Sequence, residues 1–259
     1  MKDDFSRLRG MEYSGRGITL GMTAEGNPFV GYTLTGRSLS SQARKLVYDK
    51  EKMIVKTDVT DLEQLKKGNP ALLIYPAIIF IEGKIIAGNG VQTNLIADFV
   101  RMNKEENPRF ILIKGLKNRF YEGDIDITSY EPDAPNLTPR ISGCLNQTNL
   151  GFYVIRRVEP PFNALDLDAE IIHSSFSLEP GKAKFVTTYH GGNENPLLSF
   201  SSEPLEAIVS SVNPDGIVDS LYEAIGPKNG NNYRVAAAVM MMNNGRVNVS
   251  LRNRFELGN

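Results

Sequence analysis

The chain has little of what usually betrays a function. Among 259 residues there is one cysteine, Cys144, so no disulfide can form within the chain and a reducing compartment is expected. Tryptophan is absent, and histidine occurs only as His173 and His190, too far apart in sequence for a local metal motif. The formal net charge is −1, from 29 Lys and Arg against 30 Asp and Glu, without the positive excess of a nucleic-acid-binding or membrane-binding surface. The longest apolar run, residues 71–81, contains Pro76 and falls well short of the roughly 20 residues of a membrane helix. The first residues, Met-Lys-Asp-Asp-Phe-Ser-Arg, carry acids where a signal peptide needs an apolar stretch. The expectation is a soluble cytoplasmic protein with no nucleic acid and no membrane among its partners.

What is present is a mixed pattern without internal repeats. Residues 18–23 and 28–35 read as two strands around Ala24-Glu25-Gly26-Asn27. Residues 53–57 form a further strand, followed by a capping box at Thr60-Asp61-Leu62-Glu63 and a helix ended by a left-handed Gly68. Residues 71–81 and 84–87 flank Glu82-Gly83 as a buried hairpin. Residues 92–104 place Leu95, Ile96, Phe99, Val100 and Met102 on one helical stripe. Strands follow at 140–145, 151–158 and 184–189, and helices at 204–212 and 217–225. A last hairpin spans 233–242 and 246–251 around Asn243-Asn244-Gly245. Hairpins alternating with helices indicate an α+β fold with helices outside the sheets.

Walker A and Gly-x-Ser-x-Gly sequences are absent. Cys144, in an apolar strand, reads as a buried inert thiol, and Met240-Met241-Met242 as core or subunit contact. Acids alternate with apolar residues at 124–126 and 166–170, which reads as solvated strand faces. Gly88-Asn89-Gly90 precedes the helix at Gln92 and reads as a plain tight turn or as an anion-holding helix start. Arg37 and Arg44 bracket a Ser-rich loop that is either ordinary surface or a clamp for phosphate or carboxylate.

Several short motifs occur in one order. They are Tyr13-Ser14-Gly15-Arg16-Gly17, the loop from Arg37 to Arg44, Asn69-Pro70 with Tyr75, and Gly88-Asn89-Gly90-Val91-Gln92-Thr93. Tyr130-Glu131 then leads into Thr138-Pro139-Arg140-Ile141, and Arg234-Val235-Ala236-Ala237-Ala238-Val239 opens the last hairpin. In this order the chain resembles the archaeal-type IMP cyclohydrolase family from about Tyr13 to Arg254. The resemblance implies a single domain over residues 1–259, with 1–12 as an N-terminal extension. It also implies a four-layer αββα sandwich like that of N-terminal-nucleophile hydrolases, without the N-terminal nucleophile.

The implied reaction is dehydrative ring closure of 5-formamidoimidazole-4-carboxamide ribonucleotide to inosine monophosphate, the last step of purine synthesis, with no cofactor and no metal. Matched by motif, Glu131 moves protons, Tyr75 donates to the formyl oxygen and Arg44 orients the base. Arg37, Asn89, Gly90, Thr93 and Arg140 are the implied substrate-binding residues, and a homo-oligomer is the implied assembly. Small insertions around residues 37–44 and 69–75 make Arg44 and Tyr75 dependent on register. Gln92 stands where the family often has histidine, and segments 101–123 and 160–180 are extra. The alternatives are a purine-nucleotide-binding protein without catalysis, or an amide hydrolase on the same scaffold, which needs a processed Ser, Thr or Cys terminus.

Overall fold

The structure is a computed structural model that describes residues 4–158, 169–243 and 245–255. Its α+β architecture rests on two sheets, antiparallel throughout. The first sheet contains β1 (Arg16–Met22), β2 (Pro28–Thr35), β12 (Lys182–Thr187), β13 (Leu205–Ile208), β14 (Arg234–Asn243) and β15 (Arg246–Asn253), in the order β13-β12-β1-β2-β14-β15. The second contains β3 (Arg44–Asp49), β4 (Ile54–Val59), β5 (Pro76–Ile81), β6 (Lys84–Gly88), β9 (Arg140–Leu145), β10 (Asn149–Arg157) and β11 (Ala169–Ser177), in the order β11-β10-β9-β6-β5-β4-β3. A small ribbon pairs β7 (Tyr121–Glu122) with β8 (Ile125–Asp126). Four one-turn helices, α1 (Ser6–Arg9), α2 (Leu39–Gln42), α3 (Leu62–Leu65) and α4 (Pro70–Leu73), precede the longer α5 (Gln92–Met102), α6 (Pro108–Gly115) and α7 (Pro214–Ala224).

Side chains alternate across a strand, so each strand serves two apolar layers. In β2, Val30, Tyr32 and Leu34 enter the core between the sheets, while Phe29 packs under α7. The three methionines of β14 divide likewise, Met240 and Met242 inward and Met241 under α7. In the second sheet Ile85 and Ile141 face the shared core, while Ile86 and Cys144 face α5 and α6. Each fully buried aliphatic side chain here contributes about 1.5–3 kcal/mol. At Gly143 the sheets come so close that a Cβ would stand 2.9 Å from Ile18. The side edges meet where the Asn253 carboxamide accepts from Leu46 N at 2.8 Å and donates to Leu46 O at 2.9 Å, joining β15 to β3 across 207 residues of sequence.

Four local readings are corrected. Asp61, not Thr60, caps α3, because its carboxylate accepts from Glu63 N and Gln64 N. Gly68 is not left-handed; a side chain there would meet Ser40 Oγ at 2.9 Å, so close approach explains the glycine. The apolar run at 71–81 begins as α4, started by Asn69 accepting from Ala71 N, and becomes a strand only at Pro76. The expected helix at 204–212 is the edge strand β13, because Leu205, Ala207 and Val209 alternate toward the cluster under α7.

Met102 lies 76% exposed, off the buried stripe of Ile96, Ala97 and Val100. The Ser-rich segment before Arg44 is the helix α2, capped by Ser38. Phe5, Leu8 and Met11, within the expected N-terminal extension, are buried beneath α7. Asn244, in the last turn, and residues 166–168 of the second acidic stretch lie outside the described residues.

Candidate active site

Strand ends deliver the polar motifs to one end of the core between the sheets. Arg16 opens β1, Arg44 opens β3, Tyr75 immediately precedes β5, Asn89 follows β6 and Arg140 opens β9. Glu131 arrives on the loop before β9. That loop is fixed by Glu131 N donating to Thr138 O at 2.8 Å and Thr138 N donating to Asp133 at 2.7 Å.

Glu131 is 3% exposed, and its Oε1 accepts from Arg16 Nη2 and from Asn89 Nδ2 at 3.4 Å, with Arg140 Nη1 at 4.0 Å. Burial pushes its carboxyl above the ordinary carboxylate range against the opposing pull of Arg16 and Arg140. Burial likewise holds Arg140 below the usual arginine range, with Glu131 opposing.

Asn89 is fully committed. It also donates to Pro139 O at 2.8 Å and accepts from Ile141 N at 2.8 Å and from Gln92 Nε2 at 3.1 Å. Gln92 in turn accepts from Arg140 Nη1 at 3.3 Å, so its amide bridges the partner of Glu131 to Arg140. The Gln92 amide is a neutral strut between these two groups. Gly90 leaves the space that Arg140 occupies, since a Cβ there would lie 2.4 Å from Nη1. Thr93 Oγ1 closes the turn by donating to Gly90 O at 2.7 Å.

Tyr75 is buried with its hydroxyl 3.0 Å from that of Tyr32. Arg44, 1% exposed, donates from Nε to Ser41 O at 2.9 Å and from Nη1 to Leu73 O at 3.4 Å, and its charge reaches Tyr13 and Tyr32. Arg37 stands apart, half-buried on the rim. Its guanidinium lies 5.6 Å from the Tyr13 ring centre and donates to Glu194 O at 3.0 Å. The structure thus gathers Arg44, Tyr75, Glu131, Asn89, Gly90 and Arg140, uses Thr93 to build the turn, and leaves Arg37 outside.

Two arginines, Arg16 and Arg140, face one buried carboxylate here, and a third, Arg44, is buried beside Tyr32. Among the described residues, Arg140 Nε and Nη2 and Arg16 Nε are buried without a hydrogen-bond partner. Buried donors left unmade cost about 1–3 kcal/mol each, more when charged, so this arrangement suits an anionic ligand. A cavity of about 350 Å³ reaches Tyr75, with Thr57, Ile74, Val91 and Asn94 on its walls. A larger one of about 470 Å³, between α1, Leu178, β12 and β13, touches none of these groups.

The sequence assigns Arg16 and Tyr32 no role. The signal for Arg16 was a charged residue opening an otherwise apolar, glycine-rich strand. Among the described residues no group of three or more His, Cys, Asp or Glu could hold a metal ion, and no helix is long and apolar enough to cross a membrane.

A family model described as "IMP cyclohydrolase-like protein" matches residues 13–245. The chain belongs to the IMP cyclohydrolase-like family. A relative from Methanococcus maripaludis named IMP cyclohydrolase is 28% identical over 203 residues, covering 77% of this chain and 87% of the relative. One of the same name from Methanocaldococcus jannaschii is 24% identical over 204 residues, covering 77% and 85%. Another, from Methanococcus aeolicus, is 27% identical over 207 residues, covering 79% and 85%. The IMP cyclohydrolase-like match begins at Tyr13 and so takes in Arg16 and all of the gathered side chains.

Proposed function

We propose that this chain is an IMP cyclohydrolase. It closes 5-formamidoimidazole-4-carboxamide ribonucleotide to inosine monophosphate, releasing one water. The observation that carries this reading is the buried group of Glu131, Tyr75 and three guanidiniums within the family match. The carboxamide nitrogen attacks the formyl carbon and loses one proton as the formyl oxygen gains one to become a hydroxyl; that hydroxyl then leaves as water with a second proton, while the formamido nitrogen gives up its N–H proton and the ring C=N bond forms. No group is transferred to another molecule and no atom changes hands with a redox partner. The site's tasks are to hold the reacting arms together, support charge on the formyl oxygen and shuttle protons.

Glu131 takes the carboxamide proton and passes it to the formyl oxygen, then relays the formamido proton to the leaving hydroxyl, a task suited to a carboxyl held above its ordinary range. Tyr75 donates to the formyl oxygen, and Arg44 orients the base. The unpartnered Nε and Nη2 of Arg140, with Nε of Arg16, receive the dianionic 5′-phosphate. Asn89, Gly90 and Thr93 serve substrate binding by building the turn that aims Glu131 and Arg140, and Arg37 guards the entrance. The two core sheets with outer helices support a four-layer αββα sandwich of the N-terminal-nucleophile hydrolase type, as one domain in which a proton-transfer site replaces the terminal nucleophile. A cytoplasmic homo-oligomer completes the proposal, its size read by light scattering.

The test is the ultraviolet change as the imidazole nucleotide becomes a purine. Turnover by the folded protein supports the assignment. No rate above background, with inosine monophosphate still raising the melting temperature, replaces it with nucleotide binding without catalysis.

A further inference from the structure

The Tyr32 hydroxyl lies at the middle of β2, fully buried, where the pairings Ile18↔Tyr32 and Tyr32↔Ala238 fix its backbone on both sides. Its ring belongs to the core between the sheets. Among the described residues its hydroxyl has one hydrogen-bond partner, the Tyr75 hydroxyl at 3.0 Å. A buried O–H must be donated, and Tyr32 has one acceptor to give it to. We propose that Tyr32 is a positioning residue that donates to Tyr75 Oη and thereby turns the proton of Tyr75 away from the core and toward the substrate.

Two further observations agree. Burial pushes Tyr32 well above the ordinary tyrosine range, with Tyr75 adding to the effect, so Tyr32 keeps its proton. Both hydroxyls also lie within the field of Arg16, which favours an electron-rich oxygen on whichever tyrosine accepts. Tyr75 is the acceptor toward the core and the donor toward the ligand. Hydrogen bonds in such a chain polarise one another, so donation from Tyr32 makes Tyr75 the stronger donor to a formyl oxygen that is gaining charge.

This inference rests on the cyclohydrolase reading for its kinetic arm, and its spectroscopic arm stands without it. In protein labelled at the tyrosine ring carbons, nuclear magnetic resonance should show a slowly exchanging phenolic proton coupled to the Tyr32 ring. That proton should move upfield in Tyr75→Phe, which takes away its acceptor. Finding the shared proton on the Tyr75 ring instead overturns the proposal, whatever the turnover of the protein.

Kinetically, Tyr32→Phe keeps the ring and should cut kcat roughly 10-fold with KM within about twofold, because a misaimed donor costs the chemical step more than binding. In a Tyr75→Phe background the same change should have no further effect, since Tyr32 acts through Tyr75. Wild-type kcat in Tyr32→Phe, or losses that multiply in the double variant, overturns the proposal. Should Tyr32→Phe fold poorly, Tyr32→3-fluorotyrosine retains a stronger donor in the same place. It should then keep at least wild-type kcat, and a tenfold loss there contradicts the donor role.

Discussion

Glu131 concentrates the consequences of this site at a single residue. If it carries the proton between the amide and the leaving hydroxyl, Glu131→Gln lowers kcat by roughly 10²-fold or more, and Tyr75→Phe falls on a similar scale for want of an oxyanion donor. Turnover of either variant at the wild-type rate refutes its assigned role. The raised pKa of Glu131 has a second consequence, for stability. A folded-state value above the unfolded one means that the native protein binds this proton more tightly. The stabilisation is therefore complete below the unfolded value and is lost as pH rises through the folded one. Denaturation midpoints of the ligand-free protein should fall through that window and flatten in Glu131→Gln; the same slope in the variant assigns it to another group. Cys144 offers a simpler check. Burial pushes its thiol up to about 12, so thiol reagents should leave it untouched until the protein unfolds.

Among elements, the turn between β6 and α5 bears most directly on binding. Gly90→Ala places a methyl group against Arg140 Nη1 and Gln92 Oε1 and must displace the guanidinium. Loss of one charge-assisted contact predicts a KM raised about 10-fold, with kcat changed far less; an unchanged KM shows that Arg140 does not hold substrate. Helix α6 tests local structure alone. Asn107 caps it by accepting from Arg109 N at 3.0 Å, and Asn107→Ala should cost about 1 kcal/mol in urea unfolding without altering turnover.

The hairpins β1–β2, β5–β6, β9–β10 and β14–β15 were legible in the sequence because alternation and turn residues are local signals. Strand β13 was misread since four residues and an edge position leave little periodicity to detect. Within the site, Tyr75, Glu131 and Arg140 were legible through motif order. Arg16 was not, because its partners Glu131 and Thr188 are 115 and 172 residues away and no spacing rule connects them.

For the molecule as a whole, a net charge of −1 conceals a local excess of positive charge, since two buried arginines, Arg16 and Arg140, face one buried glutamate. A ligand that brings its own two negative charges should therefore stabilise the fold as well as fill the site. At a hundred times its Kd, inosine monophosphate should raise the melting temperature by roughly 5–10 °C. Inosine, which lacks the phosphate, should give much less at the same concentration. Equal shifts from the two would move the phosphate away from Arg16 and Arg140.

The amide of Asn253 that seals β15 onto β3 also carries a cost in time. Strand β3 leaves the ribosome with its outer edge bare, and the residue that covers it follows 207 positions later. At 5–20 residues per second that interval is roughly 10–40 s. Arg44, Lys45 and Asp49 place charges along the waiting strand, which discourages pairing with other nascent chains. Synthesis is therefore the exposed stage of this protein's life, and fast expression at high temperature should lose it to aggregation before heat alone melts the finished fold.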